Sequence, residues 1–336
     1  MTRNTRPLRL IITIIVFLSG FSLLNLGCRK RPYRHLTDSF EGNDNRKKTA
    51  ALEKLRKLGK QAHSAAPEVG QLLYKKKFRR QAARTLATMG EKAVPTLTYA
   101  LRDKDSELRE IVADALSEIG PPAKPSLSRL KTMLSAKREL EKQAALRAIA
   151  SIGPDGDSLR AMKSLLKDES RVSRYLVAKA MSQGGKLSHP YIPELMKLSQ
   201  DKYYKTREAA IAGLCQLGPK ATPYLEGLLT SDETSVRDVH RKYFLLKQLH
   251  KFKTLPKVYM PKIILMLGYD SGHASSLTVM GLASNAAVRI QTMKLLLKHP
   301  TTPNQKQTIR AKLTSLLPQE QNKSIKTWIN KLLQSL

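Results

Sequence analysis

Apolar residues recur through most of the chain at the spacing of one helix face, and each such segment ends at a glycine. A leucine, isoleucine or methionine stands four residues before that glycine, and two small or apolar residues stand seven and eight before it. These offsets trace one side of an α-helix, and a glycine suits a left-handed residue at a helix C-terminus. The pattern therefore predicts one helix before each of six evenly spaced glycines: Gly59, Gly90, Gly120, Gly153, Gly185 and Gly218.

A second helix is predicted after each glycine. In four units a proline stands five residues after the glycine, where it fits the first turn of a helix, and the apolar face then resumes; the prolines are Pro95, Pro125, Pro190 and Pro223. Neither helix of such a unit can bury its apolar face alone, so units must stack. The sequence predicts an all-α fold, an α-solenoid (superhelix) of eight or nine helix pairs.

These features resemble HEAT repeats, in particular the short HEAT-like kind that also occurs in phycobilisome bilin lyases, over about residues 47–235. A basic residue stands eleven positions before each glycine, and in three units an aspartate precedes that residue by six. In HEAT-like families such side chains form a ladder between stacked units. The resemblance implies this structural role for Asp103, Arg109, Asp168, Arg174, Asp201 and Arg207. The signatures of ankyrin and tetratricopeptide repeats are absent.

Residues 236–336 depart from the regular spacing and are interpreted as degenerate repeats and a C-terminal cap. Val236 and Val288 look like starts of the kind of helix that precedes a repeat glycine, and Tyr259 looks like the start of the kind that follows one. Thr308 to Leu336 predicts two amphipathic helices.

The first 28 residues are predicted to direct the protein to a membrane. Three arginines precede an apolar run from Leu10 to Leu26, which closes on Gly27 and Cys28. This is the layout of a secretory signal, and the small residue before a cysteine resembles a bacterial lipobox, which implies lipidation of Cys28. Asn25 departs from the lipobox pattern. The alternative is an uncleaved anchor, because the run is about long enough to cross a bilayer.

Either interpretation predicts a location in the cell envelope, as a membrane-anchored and extracytoplasmic protein, and disfavours an ordinary buried helix at this position. Residues 29–46 lack periodicity and contain Pro32 and Gly42. They predict a flexible basic tether that holds the folded body roughly 20–25 Å from its anchor.

Charge is the main functional signal. The chain has 60 Lys and Arg against 27 Asp and Glu, a formal net charge of +33, which exceeds what solubility requires. Such an excess attracts polyanions, and an extracytoplasmic location predicts an acidic protein partner or an anionic envelope surface. The candidate partner-binding residues are Lys75, Lys76, Lys77, Arg79, Arg80, Arg241, Lys242, Lys251 and Lys253.

Motifs for catalysis, cofactors and metals are absent from the sequence. No HExxH, CxxC, GxSxG, P-loop or GxGxxG occurs. Asp270, Ser271 and His273 supply the residue types of a nucleophilic triad, but neighbours in one loop rarely achieve its geometry, so this stretch is interpreted as a polar turn between helices. An enzyme that uses the irregular segment 255–285 is a further alternative. Cys215 is interpreted as core packing. We therefore predict a non-enzymatic scaffold with no cofactor and no small-molecule substrate.

Two alternatives come from resemblance. Some DNA glycosylases are built of similar HEAT-like repeats, which would make the chain a nucleic-acid-binding protein. That hypothesis requires the N-terminal signal to be misread and is disfavoured. A bilin-lyase-like enzyme is disfavoured as well, since fold alone does not imply function.

Overall fold

The computed structural model describes residues 32–231, 235–269 and 285–336. All regular structure in these ranges is helical, and none of it is strand. The all-α fold class predicted from the apolar spacing is confirmed. The chain divides into two compact units, Met1–Thr96 and Leu97–Leu336.

The first unit begins with a segment that the sequence predicted to be a flexible tether. Residues 34–40 instead form a short helix, α1 (Arg34–Thr37), and a 3-10 turn, because Leu36 finds a buried position. Two longer helices follow and pack on each other, with a shorter helix between them; they are α2 (Asn45–Leu58), α3 (Ala66–Gln71) and α4 (Arg79–Met89). Helix α5 (Val94–Ala100) spans the boundary between the units.

The second unit alternates long and short helices. The long helices are α6 (Ser106–Ile119), α8 (Glu139–Ile152), α10 (Arg171–Gln183), α12 (Tyr204–Gln216), α14 (Val236–Leu249), α16 (Asn285–Lys298) and α18 (Lys323–Ser335). Between them lie α7 (Leu127–Thr132), α9 (Gly156–Met162), α11 (Ile192–Leu198), α13 (Thr222–Thr230), α15 (Tyr259–Leu265) and α17 (Pro303–Leu316). Paired in chain order as the repeat units defined above, the described residues contain eight helix pairs, α2–α3 to α16–α17, with α18 after them.

Successive long helices pack directly on one another, from α6 through to α18. The position four residues before each repeat glycine is fully buried in both units, at 0% exposure for Leu55, Leu86, Leu116, Ile149, Met181 and Leu214. Each repeat thus buries an apolar stripe that no single helix could shield, which supplies the main driving force for stacking.

All six repeat glycines have positive φ, and no other described residue does. The first three of them differ in conformation from the predicted left-handed helical cap. Gly59, Gly90 and Gly120 combine φ of 55–72° with ψ between −126° and −144°, which is a region open to glycine and costly for any residue with a Cβ. The chain adopts it because it must leave the helix and enter a 3-10 turn within one residue.

The degenerate C-terminal repeats keep their helices. Helices α14, α15 and α16 cover the predicted starts at Val236, Tyr259 and Val288. Helix α17 begins at Pro303, before the predicted Thr308, because Thr302 and Gln305 form a capping box.

Two predictions concern residues outside the described ranges. One is the membrane signal formed by the apolar run and Cys28, and the other is the polar turn that contains Asp270, Ser271 and His273. Within the described ranges, no helix is both long and apolar enough to cross a membrane.

Candidate functional site

A ladder of ion pairs links successive long helices in the second unit. Arg174 on α10 donates from Nη1 to the carbonyl oxygen of Asp168, six residues earlier, at 2.8 Å. The same guanidinium donates from Nε and Nη2 to the carboxylate of Asp201, just before α12, at 2.6 and 3.1 Å. Asp201 in turn accepts from the backbone N–H of Tyr203 at 2.7 Å, so its side chain both orders the turn and receives the arginine of the preceding repeat.

Other repeats vary this arrangement. Arg109 also donates to the carbonyl oxygen of Asp103, at 2.6 Å, but its carboxylate partner is Glu141 at 2.7 Å. Lys142 replaces the arginine in the next repeat and contacts Asp168 at 2.8 Å. These contacts raise the pKa of Arg109, Lys142 and Arg174, mainly through hydrogen bonds to the partner carboxylates.

Two further positions define how far the ladder extends. Arg207 donates to the carbonyl oxygens of Asp201 and Lys202, and burial lowers its pKa. Arg289 donates to the carbonyl oxygen of Leu267 at 2.9 Å and pairs with Glu320. Sequence reasoning missed this last pair because the glycine register that identifies ladder positions is lost after residue 235.

A basic groove lies between the third and fourth repeats. Its volume is about 660 Å³, and the loops before α6 and α8 and the end of α7 form its walls. Buried Leu101 and Met133 lie at its apolar base. Exposed Arg102, Arg129 and Lys137 lie at its rim.

The positive charge of this groove is only partly neutralised from within. Among its lining residues, Arg109 pairs with Glu141, and Arg138 pairs with Glu110 at 3.2 Å. Arg129 and Lys137 form no ion pair with any residue in the described ranges. The groove therefore combines an apolar base with cationic side chains that remain available to an anionic group.

The lysine loop, residues 75–77, was predicted to bind a partner, and its three side chains are exposed. Arg80 is exposed as well. Arg79 is different: it is 4% exposed, and its Nε donates to the carbonyl oxygen of Leu73. It stands at the ladder position, eleven residues before Gly90, and its burial removes it from the predicted binding surface.

Arg241 and Lys242 are also removed from that surface by burial, at 4% and 1% exposure. Lys242 Nζ lies 2.8 Å from Asp238 Oδ2 and donates to the carbonyl oxygen of Ser231 at 2.7 Å. Burial raises the pKa of Asp238, against the opposing effect of the Lys242 hydrogen bond. Both basic residues hold the interior of their repeat, because α14 directs this face inward.

Lys251 and Lys253 remain exposed as predicted binding residues should be. The surrounding region has a large excess of positive charge. Residues 235–269 contain eight Lys and Arg and one acidic residue, the buried Asp238. By contrast, residues 97–231 contain 22 Lys and Arg and 16 Asp and Glu. Acidic residues thus nearly balance basic ones in the middle repeats and are scarce in residues 235–269.

No group of three or more His, Cys, Asp and Glu side chains that could hold a metal ion occurs in the described parts of the chain. Cys215 is buried, and desolvation raises the pKa of its thiol to about 12. This agrees with a packing role and disfavours a nucleophilic one.

Comparisons with known proteins agree with the helical-repeat architecture. A family model described as HEAT repeats matches residues 66–150. Karyopherin Kap121p bound to the SUMO protease Ulp1p matches with a TM-score of 0.51 at 15% identity, over 90% of this chain and 37% of that one. Yeast importin-beta (Kap95p) matches with a TM-score of 0.50 at 12% identity, over 91% of this chain and 46% of that one.

These structural likenesses concern the fold alone, and the chain spans less than half the length of those karyopherins. No curated protein matches the sequence at a significant level. The HEAT-repeat model thus matches part of the region that resembles HEAT repeats, residues 66–150, and the predicted α-solenoid fold is confirmed.

Proposed function

We propose that this chain is a non-enzymatic HEAT-repeat scaffold, held at the cell envelope by its N-terminus, that binds an acidic segment of a partner protein in the basic groove. One observation carries the proposal: an apolar base, Leu101 and Met133, lies below a rim with unpaired Arg129 and Lys137. A segment that alternates acidic and apolar side chains would satisfy both parts of the groove. The exposed lysine loop adds favourable charge for the same class of partner.

The binding half of the proposal is tested with a fluorescent peptide of alternating Glu and Leu residues. We expect the double variant Arg129→Glu/Lys137→Glu to weaken binding roughly tenfold, since it reverses two charges at the rim. Lys186→Glu/Lys202→Glu changes the same total charge at exposed positions outside the groove and should weaken it far less. If the two double variants lost equal affinity for the peptide, the overall charge of the protein and not the groove would account for binding.

Competition with duplex DNA distinguishes nucleic acid from an acidic protein segment as the ligand of the groove. Both ligands lose affinity in salt, so the comparison is made at one ionic strength. The nucleic-acid alternative would be favoured, and an acidic protein partner contradicted, by two results together. The duplex would bind much more tightly than the peptide, and Arg129→Glu/Lys137→Glu would weaken both equally.

The proposed attachment of the N-terminus to the cell envelope is tested separately, by labelling with radioactive palmitate in a bacterial host. Label in the wild type that disappears in Cys28→Ser supports a lipid tether at that cysteine. Membrane association that persists without label supports the uncleaved anchor. A protein that stays in the cytoplasm would contradict both forms of the proposal.

A further inference from the structure

The single tryptophan of the chain lies between two lysines on the last long helices. Trp328 is partly exposed on α18. Lys331, one turn further along, places Nζ 4.9 Å from the centre of the indole ring, and Lys294 on α16 places Nζ 5.1 Å from it. Ile325 and Leu332, each one turn away from Trp328 along α18, are buried, as is Ile329, so the indole lies at the edge between the core and the surface.

All exposed charged side chains of residues 285–336 are positive. Residues 285–336 contain nine Lys and Arg and one acidic residue, Glu320. Glu320 is 9% exposed at its side chain and is paired with Arg289. The exposed basic residues are Lys298, Lys306, Arg310, Lys323, Lys326 and Lys331. We call the surface formed by Trp328, Lys294 and Lys331 the C-terminal face.

We propose that the C-terminal face binds an anionic phospholipid surface, with Trp328 at the level of the headgroups. An indole has an apolar body and a polar N–H, and this combination favours the interface between water and lipid. Lysine side chains can lie along apolar material while the ammonium group reaches the headgroups. A cluster of lysines without exposed carboxylates is attracted to anionic lipid.

The distribution of charge favours a lipid surface over an acidic peptide here. Exposed basic side chains lie on each of the helices α16 to α18, with no exposed acidic side chain among residues 285–336, whereas the basic residues of the groove line a cavity. A layer of negative headgroups attracts all of these charges, including those that do not touch it. The inference concerns a surface distinct from the groove and does not depend on which partner the groove takes.

The experiment uses the intrinsic fluorescence of Trp328 in the full chain, which reports on this face alone because no other tryptophan is present. Vesicles contain either phosphatidylcholine or a mixture of phosphatidylcholine and phosphatidylglycerol, each with brominated acyl chains as quencher. We expect quenching with the anionic mixture and little with phosphatidylcholine, even where the N-terminus holds the protein on both. Quenching by the anionic mixture should also fall steeply in high salt.

The matched variants are Lys294→Gln/Lys331→Gln and Lys186→Gln/Lys202→Gln. The first should reduce the quenching by anionic vesicles roughly tenfold or more, because each lysine near a charged surface adds to binding; the second should leave it nearly unchanged. Far-UV circular dichroism checks that both variants fold.

Two results would overturn the proposal. One is unquenched Trp328 when the wild type sediments with anionic vesicles. The other is a change of Trp328 emission with soluble poly-glutamate but not with anionic vesicles, which would assign the C-terminal face to an acidic protein chain.

Discussion

Arg174 and Asp201 form an ion pair with two hydrogen bonds between successive repeats, at 2.6 and 3.1 Å. Their side chains are 17% and 8% exposed. Because this pair is partly shielded from water and hydrogen-bonded on both sides, it differs from the exposed ion pairs that contribute little to stability.

We expect Arg174→Ala to lower the free energy of unfolding by about 2–3 kcal/mol, since it leaves the Asp201 carboxylate without its partner. Arg174→Lys should cost less, as it keeps the charge but not the two-bond geometry. Urea denaturation followed by circular dichroism measures both. Arg160→Ala, at a side chain 79% exposed, is the control. Similar midpoints for Arg174→Ala and Arg160→Ala would contradict a stabilising ladder.

Two glycine substitutions should have opposite effects. Gly120 has φ of 72°, and an added Cβ would meet nothing closer than 3.7 Å, so the cost of Gly120→Ala is backbone strain of about 1–2 kcal/mol. Gly227 lies within α13, has no neighbour within 4 Å of an added Cβ and lacks positive φ. Gly227→Ala should therefore stabilise the protein by about 0.5–1 kcal/mol. Melting temperatures shifted in the same direction would refute this interpretation of the repeat glycines.

Acid should weaken the contact between α8 and α10. Burial would raise the pKa of Glu139, but hydrogen bonds from Lys142, Ser173 and Gln143 outweigh it and lower the pKa to about 2. The stability that this carboxylate adds is present above its ordinary pKa near 4.5 and is lost as the pH falls towards 2.

Glu139→Gln should remove about 1 kcal/mol at pH 7, a modest amount because the side chain is 40% exposed. Its stability should also decline less than that of the wild type between pH 4.5 and 2. Glu118→Gln, at an exposed glutamate on α6, is the matched control. Parallel pH profiles for wild type and Glu139→Gln would show that this carboxylate is not responsible.

The lysine loop should affect binding and leave folding unchanged. Reversal of Lys75, Lys76 and Lys77 to glutamate should weaken binding of an acidic peptide several-fold, with an unchanged melting temperature because all three side chains are exposed. A triple reversal at Lys54, Lys57 and Lys60, which are exposed in the same unit, changes the same charge. If the two triple variants bind equally, the loop has no special role.

The sequence predicted those parts of the fold that depend on local periodicity. Gly120 and Leu116 illustrate this, because a positive φ and a fully buried side chain both follow from their places in a repeating pattern. The burial of Arg79 could also have been predicted, since it stands eleven residues before Gly90 like the ladder residues.

Features that depend on packing between repeats could not be predicted in this way. Lys242 looked like one of a pair of surface cations, and only the position of α14 shows that it contacts Asp238 inside the repeat. The basic groove was missed because Arg102, Arg129 and Lys137 lie in three separate segments that only the stacking of helices brings together.

The ladder also determines which repeats can be joined. Arg174 and Lys142 each direct their cation towards an aspartate that precedes the next long helix, Asp201 and Asp168. Excision of the 32 residues from Gly153 to Gly184 would bring Lys142 against Asp201, and a carboxylate would still meet a cation. This repeat could therefore be deleted or duplicated without creating a mismatched junction in the ladder, so the length of the protein can change by one unit at this place.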